Sequence, residues 1–430
     1  MTSDSGDLGA RTLKKVMWRL LPFIFLCYIV AYIDRVNTGF AAKSLQLDLS
    51  LTKAEFGRGA GLFFLGYFLF EIPSNMILRK VGARLWIARI MIVWGFVSMG
   101  MIFVKGVWSF YAARVLLGLA EAGFFPGMVL YLTYWIPARE RARAGALFMI
   151  AAPVAMAIGA PLSGALLDLH GASGLKGWHW LFLVEGFPAV ILGVLTLKFL
   201  TDSPEKASWL STEEREWLTT ELDAERARKA AQMSTEAGQL LSNPKVWVLC
   251  LVYFLNSTVT YGLFLWLPQM LEEATGLKGF KLGLVSAVPF MAAIVGMVLI
   301  GAHSDRSGER KYHVAACAVT GAIGLALAAA FHKNPAMFVF SFALCQMGQR
   351  SIMSVFWAIP PIFLGGAAAA AGIAGINAVG NLGGHFGSDL MGELAKRTGG
   401  YTGGLLVLAG AMVLLAVIVS LLPLPKERPA

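Results

Sequence analysis

Long apolar runs separated by short polar connections make up most of this chain. A helix of about 20 residues crosses the hydrocarbon core of a bilayer, and the runs are about that long or longer. The pattern therefore predicts an all-α polytopic membrane protein with twelve transmembrane helices. The predicted helices cover residues 17–42, 56–78, 83–104, 107–132, 144–168, 178–200, 246–272, 281–302, 312–331, 336–363, 366–391 and 402–424.

One hydrophilic segment, 201–245, is much longer than the other connections and falls between the sixth and seventh spans. We therefore expect an N-terminal six-helix bundle over 1–200, a linker over 201–245 and a C-terminal six-helix bundle over 246–430. Glycine and arginine recur at similar offsets in the loops at Gly82 and Gly308. This repetition predicts two halves related by pseudo-twofold symmetry, as in many secondary transporters.

The polar segments carry two further local signals. Ser211 or Thr212, followed by Glu214, is an N-cap signal and predicts an amphipathic surface helix in the linker. The first 16 residues are polar, and we expect them to be disordered.

The composition narrows the possible functions. Of 430 residues, 57% are hydrophobic and only 14% charged, whereas soluble domains have about 25% charged residues. This excludes a cytosolic enzyme, a secreted scaffold and a nucleic-acid-binding domain. The net charge of +10 comes from basic residues scattered between spans, and nucleic acid is not expected as a partner.

The basic residues predict the orientation in the membrane. If the N-terminus is cytoplasmic, the segments on that side carry more Lys and Arg than those outside, so both termini are expected in the cytoplasm. The cysteines lie singly in apolar runs, without a metal-binding or disulfide spacing. We expect no cofactor and no metal.

Several motifs resemble a known family. The sequence GAHSDRSGERK, at 301–311, resembles the loop motif of the major facilitator superfamily. The segments YIDRVNTGFA, EIPSN, RVLLGLAEAGFFPG and FWAIPPIFLGGAAAAAGIAGINAVGNLGG resemble the anion:cation symporter family. The resemblance implies a monomeric permease of the cell (inner) membrane for tartrate, phthalate, hydroxyphenylacetate or sugar acids.

The loop motif is expected to gate the protein. In the family, residues matching Asp305, Arg306, Gly308 and Arg310 are gating elements. The first half departs from the pattern, because Arg79 stands where the second half has Asp305. Alternatively, these loops only set the topology and tighten turns.

Charges inside a span cost about 2.5 to 3.5 kcal/mol each and are therefore functional candidates. Asp34 and Arg114 fall at similar depth in their spans, so we expect that they can pair. Arg114 and Glu121 are two turns apart on one helix face and can also pair. The family resemblance implies proton coupling by Asp34, Glu121 and Arg114. The alternative is a static ion pair between spans 1 and 4.

The substrate-binding candidates lie in both halves. The resemblance implies that Arg35 binds a substrate carboxylate, and Arg350 is a second anion-binding candidate. Trp357 and Asn377 match substrate contacts of the family. The other candidates, each with a helix-to-helix hydrogen bond as the alternative, are Tyr32, Tyr67, Asn256 and Ser354. Glu71 and Glu185 match scaffold positions, and we expect a structural role for both.

The sequence therefore predicts proton-coupled uptake of a small organic carboxylate anion by alternating access. Its expected partners are that anion, protons and membrane lipids. An organic-anion exchanger or a metabolite exporter is the alternative. No nucleophile or phosphate-binding motif suggests an enzyme.

Overall fold

The computed structural model describes residues 2–232, 243–363 and 366–423. Helices account for nearly all of these residues, and no β-strand occurs in those ranges. The α-helices are α1 Thr2–Asp48, α2 Lys53–Val81, α3 Ala83–Met99, α4 Val107–Glu121, α5 Phe124–Thr133, α6 Ala138–Leu167, α7 Gly177–Phe199, α8 Thr212–Gln232, α9 Pro244–Phe264, α10 Leu267–Thr275, α11 Gly279–Ser307, α12 Lys311–Ala330, α13 Pro335–Phe356, α14 Pro360–Phe363, α15 Gly366–Thr398 and α16 Thr402–Leu421.

The helices match the predicted spans. Each of the twelve spans coincides with one helix or with two consecutive helices. Ten stretches of the described residues are long and apolar enough to cross a membrane. The remaining two spans are α13 and α15, which contain polar residues such as Gln349 and Asn381 but have 22 and 33 residues. At about 1.5 Å rise per residue both are long enough to cross, so the predicted fold is confirmed.

Three predicted spans are interrupted. Span 4 breaks between α4 and α5 at Gly123, which adopts the left-handed conformation with φ 87° that favours glycine. Span 7 restarts at α10, which has Pro268 in its first turn, and span 10 restarts at Pro360. Proline lacks an amide hydrogen and is therefore favoured where a helix begins.

The N-terminus differs from the expectation. Disorder over the first 16 residues is wrong, because α1 begins at Thr2. Leu13 and Val16 are buried, and the Lys15 ammonium lies 2.7 Å from a carboxylate oxygen of Glu214. The polar residues of this segment thus form a helix that contacts α8.

Helix α8 has the predicted cap and the predicted amphipathic character. The Ser211 hydroxyl accepts a hydrogen bond from the Glu214 amide at 3.2 Å, and the Glu214 carboxylate accepts one from the Ser211 amide at 2.9 Å. Leu218 and Leu222 are buried. The later part of the predicted linker, 233–242, lies outside the described residues.

Glycines bring the two halves of the chain together. Helix α2 packs against α15, and α6 packs against α11. A Cβ atom at Gly61 would lie 2.9 Å from the His385 carbonyl oxygen, and one at Gly283 would lie 2.6 Å from the Cα of Pro161. Such close approach requires small residues at the helix contact.

The halves are joined by polar contacts on one face of the protein. We call the face at which α1 begins and α16 ends the terminal face, and the opposite one the distal face. Four polar contacts between side chains of the two halves lie on the distal face: Lys43–Glu272 at 2.6 Å, Lys53–Glu273 at 3.4 Å, Arg58–Asp389 at 3.5 Å and Gln46–Gln269 at 3.2 Å. These contacts close the distal face.

We expect the contact between α2 and α4 to be sensitive to added volume. A Cβ atom at Gly118 would overlap the Phe63 carbonyl oxygen, so Gly118→Ala forces the helices apart. Overpacking of this kind costs about 1–3 kcal/mol. Thermal unfolding of the purified protein, followed by tryptophan fluorescence, should show a lower midpoint. Gly410→Ala in α16 is the control, because a Cβ atom there meets open space. Equal midpoints for the two variants would contradict the close packing.

Candidate functional site

An ion pair between α1 and α4 lies at the centre of the first half. The Arg35 Nε atom donates to Glu121 Oε1 at 2.6 Å, and the Arg35 Nη2 atom contacts the same oxygen. The side chains are 13% and 1% exposed. Glu121 Oε2 is buried and has no hydrogen-bond partner among the described residues. The carboxylate therefore depends on Arg35 for its neutralisation.

Aromatic rings surround the Arg35 guanidinium. Its Cζ atom lies 5.3 Å from the Tyr32 ring centre, 5.6 Å from that of Phe63 and 5.5 Å from that of Tyr67. At such distances a cation is attracted to the faces of aromatic rings. The predicted residues Tyr32, Arg35 and Tyr67 thus form one cluster with Glu121.

Asp34 is held by neutral donors. Its Oδ1 atom accepts hydrogen bonds from Asn37 Nδ2 at 3.0 Å and from the Ser98 hydroxyl. Its Oδ2 atom is buried and has no hydrogen-bond partner among the described residues. Asp34 therefore directly precedes Arg35 in the sequence but has a different set of hydrogen-bond partners.

Neither expected pairing of Arg114 is formed. Its Nη1 atom donates to the Thr38 hydroxyl at 3.1 Å, and its Cζ atom lies 5.0 Å from the Phe63 ring centre. The predicted Asp34–Arg114 and Arg114–Glu121 pairs are thus wrong for this conformation. Arg35, about 100° around α1 from Asp34, reaches Glu121 instead.

Arg350 lies in the second half and reaches across to the first. Its Nε atom lies 3.4 Å from Gln346 Oε1, and its Nη2 atom lies 3.5 Å from the Met156 sulfur of α6. It has no carboxylate partner among the described residues. The guanidinium therefore retains donors that an anionic ligand can use.

Asn377 connects the halves through a carboxylate. Its Nδ2 atom donates to Glu71 Oε1 at 3.0 Å, and the Tyr253 hydroxyl lies 3.4 Å from Asn377 Oδ1. Trp357 packs edge-on against Tyr253, with ring centres 5.1 Å apart. Sequence reasoning placed Asn377 and Trp357 in the site but missed Glu71 as their neighbour. Glu71 is a charged residue inside a predicted span, and this signal could have placed it among the site candidates.

Two other candidates lie apart from these clusters. Asn256 Oδ1 accepts a hydrogen bond from Gln349 at 3.0 Å, which joins α9 to α13 within the second half. The Ser354 hydroxyl donates to the Ser351 carbonyl oxygen at 2.7 Å and faces Gly301 of α11. The Asn256 contact corresponds to the alternative of a helix-to-helix hydrogen bond, whereas the hydrogen bond of Ser354 stays within α13.

The predicted gating motif forms a compact turn at the terminal face. Arg310 Nη1 lies 2.5 Å from Asp305 Oδ1 and 3.1 Å from the Ser304 hydroxyl. Gly308 ends α11 in the left-handed conformation, and Arg306 is exposed. The structure brings these four predicted residues together, and their gating role stays a prediction.

Comparisons with known proteins agree with this architecture. The sequence model of the Major Facilitator Superfamily matches residues 24–388 and, in a second match, 250–430. A protein of Agrobacterium vitis named "Putative tartrate transporter" is 50% identical over 419 residues, which cover 97% of this chain and 92% of that protein. A "Quinolone resistance transporter" of Acinetobacter baumannii is 39% identical over 422 residues, which cover 98% of this chain and 97% of that protein.

A solved structure shares the fold. The partially occluded inward-open xylose transporter XylE of E. coli superposes with a TM-score of 0.74 and 15% identity, over 96% of this chain and 99% of that one. Helices, site and family match agree: this chain belongs to the major facilitator superfamily and is a multi-pass membrane transporter, not an enzyme.

Proposed function

We propose that this transporter takes up a small organic carboxylate anion together with protons, by alternating access. The observation that carries the proposal is the buried Arg35–Glu121 pair inside its aromatic cluster. The substrate class is a tartrate, phthalate, hydroxyphenylacetate or sugar-acid anion. The name of the Agrobacterium vitis relative supports a carboxylate.

The pair supplies a direct link between proton and substrate. While Glu121 is ionised, it occupies the Arg35 guanidinium. When Glu121 takes up a proton, its attraction for Arg35 weakens, and the planar guanidinium can bind a substrate carboxylate through two hydrogen bonds. The proton and the anion therefore favour each other's binding.

The other charged residues extend this arrangement. Arg350 approaches from the second half and lies within electrostatic range of Tyr32, so an anion between the halves can meet both guanidinium groups. Asp34 has one buried oxygen without a hydrogen-bond partner among the described residues and is the second proposed proton carrier. Arg114 lies within electrostatic range of both carboxylates and stabilises their ionised forms.

Charge balance favours symport. Moving one negative charge inward against 100 mV costs about 2.3 kcal/mol, and one accompanying proton cancels this cost. Two protonatable carboxylates allow a net inward movement of positive charge with a monoanion. The membrane potential then contributes to accumulation of the substrate.

The closed distal face defines the proposed state. The distribution of basic residues favours a cytoplasmic terminal face, so the closed distal face is the outer one. We propose an inner-membrane monomer whose two bundles, 1–200 and 246–430, rock about the site. Exposed ion pairs contribute only about 0–1 kcal/mol each, so the distal contacts can open during each cycle.

A metabolite exporter is the second candidate function. It is favoured by the 39% identity to the quinolone resistance transporter. An exporter would lower the accumulation of its substrate in cells and would confer resistance. An anion exchanger would show counterflow without dependence on a proton gradient.

The decisive experiment is uptake into proteoliposomes. The panel contains tartrate, phthalate, hydroxyphenylacetate and galactonate, with an inward proton gradient and an inside-negative potential. We expect concentrative uptake of at least one of these anions. In Glu121→Gln, one proton fewer per anion removes about 2.3 kcal/mol of electrical driving force at 100 mV, and the pH gradient adds to this loss, so accumulation falls at least about 50-fold. Asp34→Asn should show a similar loss.

Counterflow separates coupling from binding. It should persist in at least one of the two variants, because exchange needs no net movement of protons. Glu393→Gln is the control, since Glu393 is a carboxylate of the distal surface that pairs with Arg397 within α15. Undiminished accumulation by both site variants would exclude these carboxylates from coupling.

The distal contacts should set the balance between the two conformations. Glu272→Lys places a cation opposite Lys43 and weakens the closed distal face. In cells carrying Tyr32→Cys and no native cysteine, an impermeant thiol reagent added outside should label the protein severalfold faster. The exchanged pair Lys43→Glu with Glu272→Lys should restore the slow rate. Glu393→Gln, which breaks only the ion pair with Arg397 within α15 and adds no cation, is the control. An unchanged rate in Glu272→Lys would show that these contacts do not hold the face closed.

A further inference from the structure

Glu71 is a buried carboxylate at the boundary between the halves. It belongs to α2 of the first half and is 5% exposed. Its Oε1 atom accepts the hydrogen bond from Asn377 of α15, and its Oε2 atom is buried without a hydrogen-bond partner among the described residues. No ion pair of Glu71 occurs in the described part of the chain. An ionised carboxylate without an ion pair destabilises a membrane span, so its presence suggests a function.

The groups around Glu71 are mostly neutral. Tyr67 lies one turn away on α2, and Tyr253 of α9 faces it from the second half. Among the described residues, the one cation in electrostatic range is Arg35 of α1, and that guanidinium already pairs with Glu121. A negative charge on Glu71 is therefore stabilised chiefly by the amide of Asn377.

Asn377 is also a proposed substrate contact. Its amide N–H that points at Glu71 is the same kind of donor that a substrate carboxylate requires. A substrate anion bound at Asn377 would remove this hydrogen bond and bring a second negative charge to Glu71. Two carboxylates that share one site favour a state in which one of them is protonated.

We propose that Glu71 is a third proton-carrying residue, and that its carboxylate competes with the substrate anion for the amide of Asn377. This inference rests on the proposed function and deepens it. The proton bound at Glu71 comes from water on the side where the anion enters. It leaves to water on the other side after the anion dissociates, when Asn377 again donates to the ionised carboxylate.

The pH dependence of substrate affinity tests the proposal. Radiolabelled counterflow is measured in proteoliposomes between pH 6 and 8, for whichever of tartrate, phthalate, hydroxyphenylacetate and galactonate exchanges. In wild type, the half-saturating concentration should rise with pH. In Glu71→Gln, one proton fewer is taken up when the anion binds. The increase in half-saturating concentration per pH unit should therefore be smaller than in wild type by a factor of up to about ten. At low pH the two proteins should have similar affinities, because glutamine resembles the protonated acid.

Glu185→Gln is the matched control. Glu185 is equally buried, and its Oε1 atom accepts a hydrogen bond from Ser163 at 2.7 Å, but that contact joins α6 and α7 within the first half. Its substitution should leave the pH slope unchanged. A merely structural role of Glu71 would lower the amount of folded protein without altering the slope.

The outcomes separate the two proposals. Absence of counterflow for every anion of the panel in wild type overturns the proposed substrate class. Counterflow in wild type with the same pH slope in Glu71→Gln overturns only the role of Glu71. If Glu71→Gln is folded but does not exchange, anion affinity is measured in detergent instead, from the rise in the thermal unfolding midpoint that the anion causes. The pH dependence of this affinity is then compared between wild type and Glu71→Gln. An equal slope in that assay also refutes the inference.

Discussion

The cost of an unpaired charge in a membrane interior governs the centre of this protein. Arg35 and Glu121 neutralise each other across α1 and α4, and the aromatic rings of Tyr32 and Tyr67 lie against the guanidinium. Removal of one partner from a buried pair typically costs about 3–5 kcal/mol. Each charge that enters or leaves the site must therefore be matched by another. This requirement connects the architecture to the proposed coupling of protons and substrate.

The two halves contact each other through two different kinds of interaction. Near the distal face, backbones meet at glycines such as Gly61 and Gly283, and exposed ion pairs close the surface. Deeper in the protein, the Glu71–Asn377 hydrogen bond crosses the boundary beside the proposed substrate pocket. The exposed ion pairs can separate at small free-energy cost. Loss of the Glu71–Asn377 hydrogen bond leaves a buried carboxylate without its donor, unless a proton or a ligand takes the place of the amide.

Local patterns were sufficient to predict the fold but not the pairing of side chains. The apolar runs located the twelve spans, and the Ser211–Glu214 spacing located the start of α8, because both depend on neighbouring residues. The partner of Glu121 depends on the rotation of α1 about its axis, which no local pattern fixes. The break at Gly123 was missed because the apolar run continues through it. Glu71 was assigned to the scaffold from its match to scaffold positions of the family, and local sequence could not reveal its partner, which lies 306 positions away.

The ion pairs that join the two halves at the distal face have a uniform polarity. In the described part of the chain the cations Lys43, Lys53 and Arg58 all belong to the first half, and their carboxylate partners all belong to the second. The attraction between the halves thus sums over the whole face. Because mobile ions screen exposed charges over about 10 Å at 0.1 M salt, this attraction between the halves weakens as the ionic strength at the distal face rises.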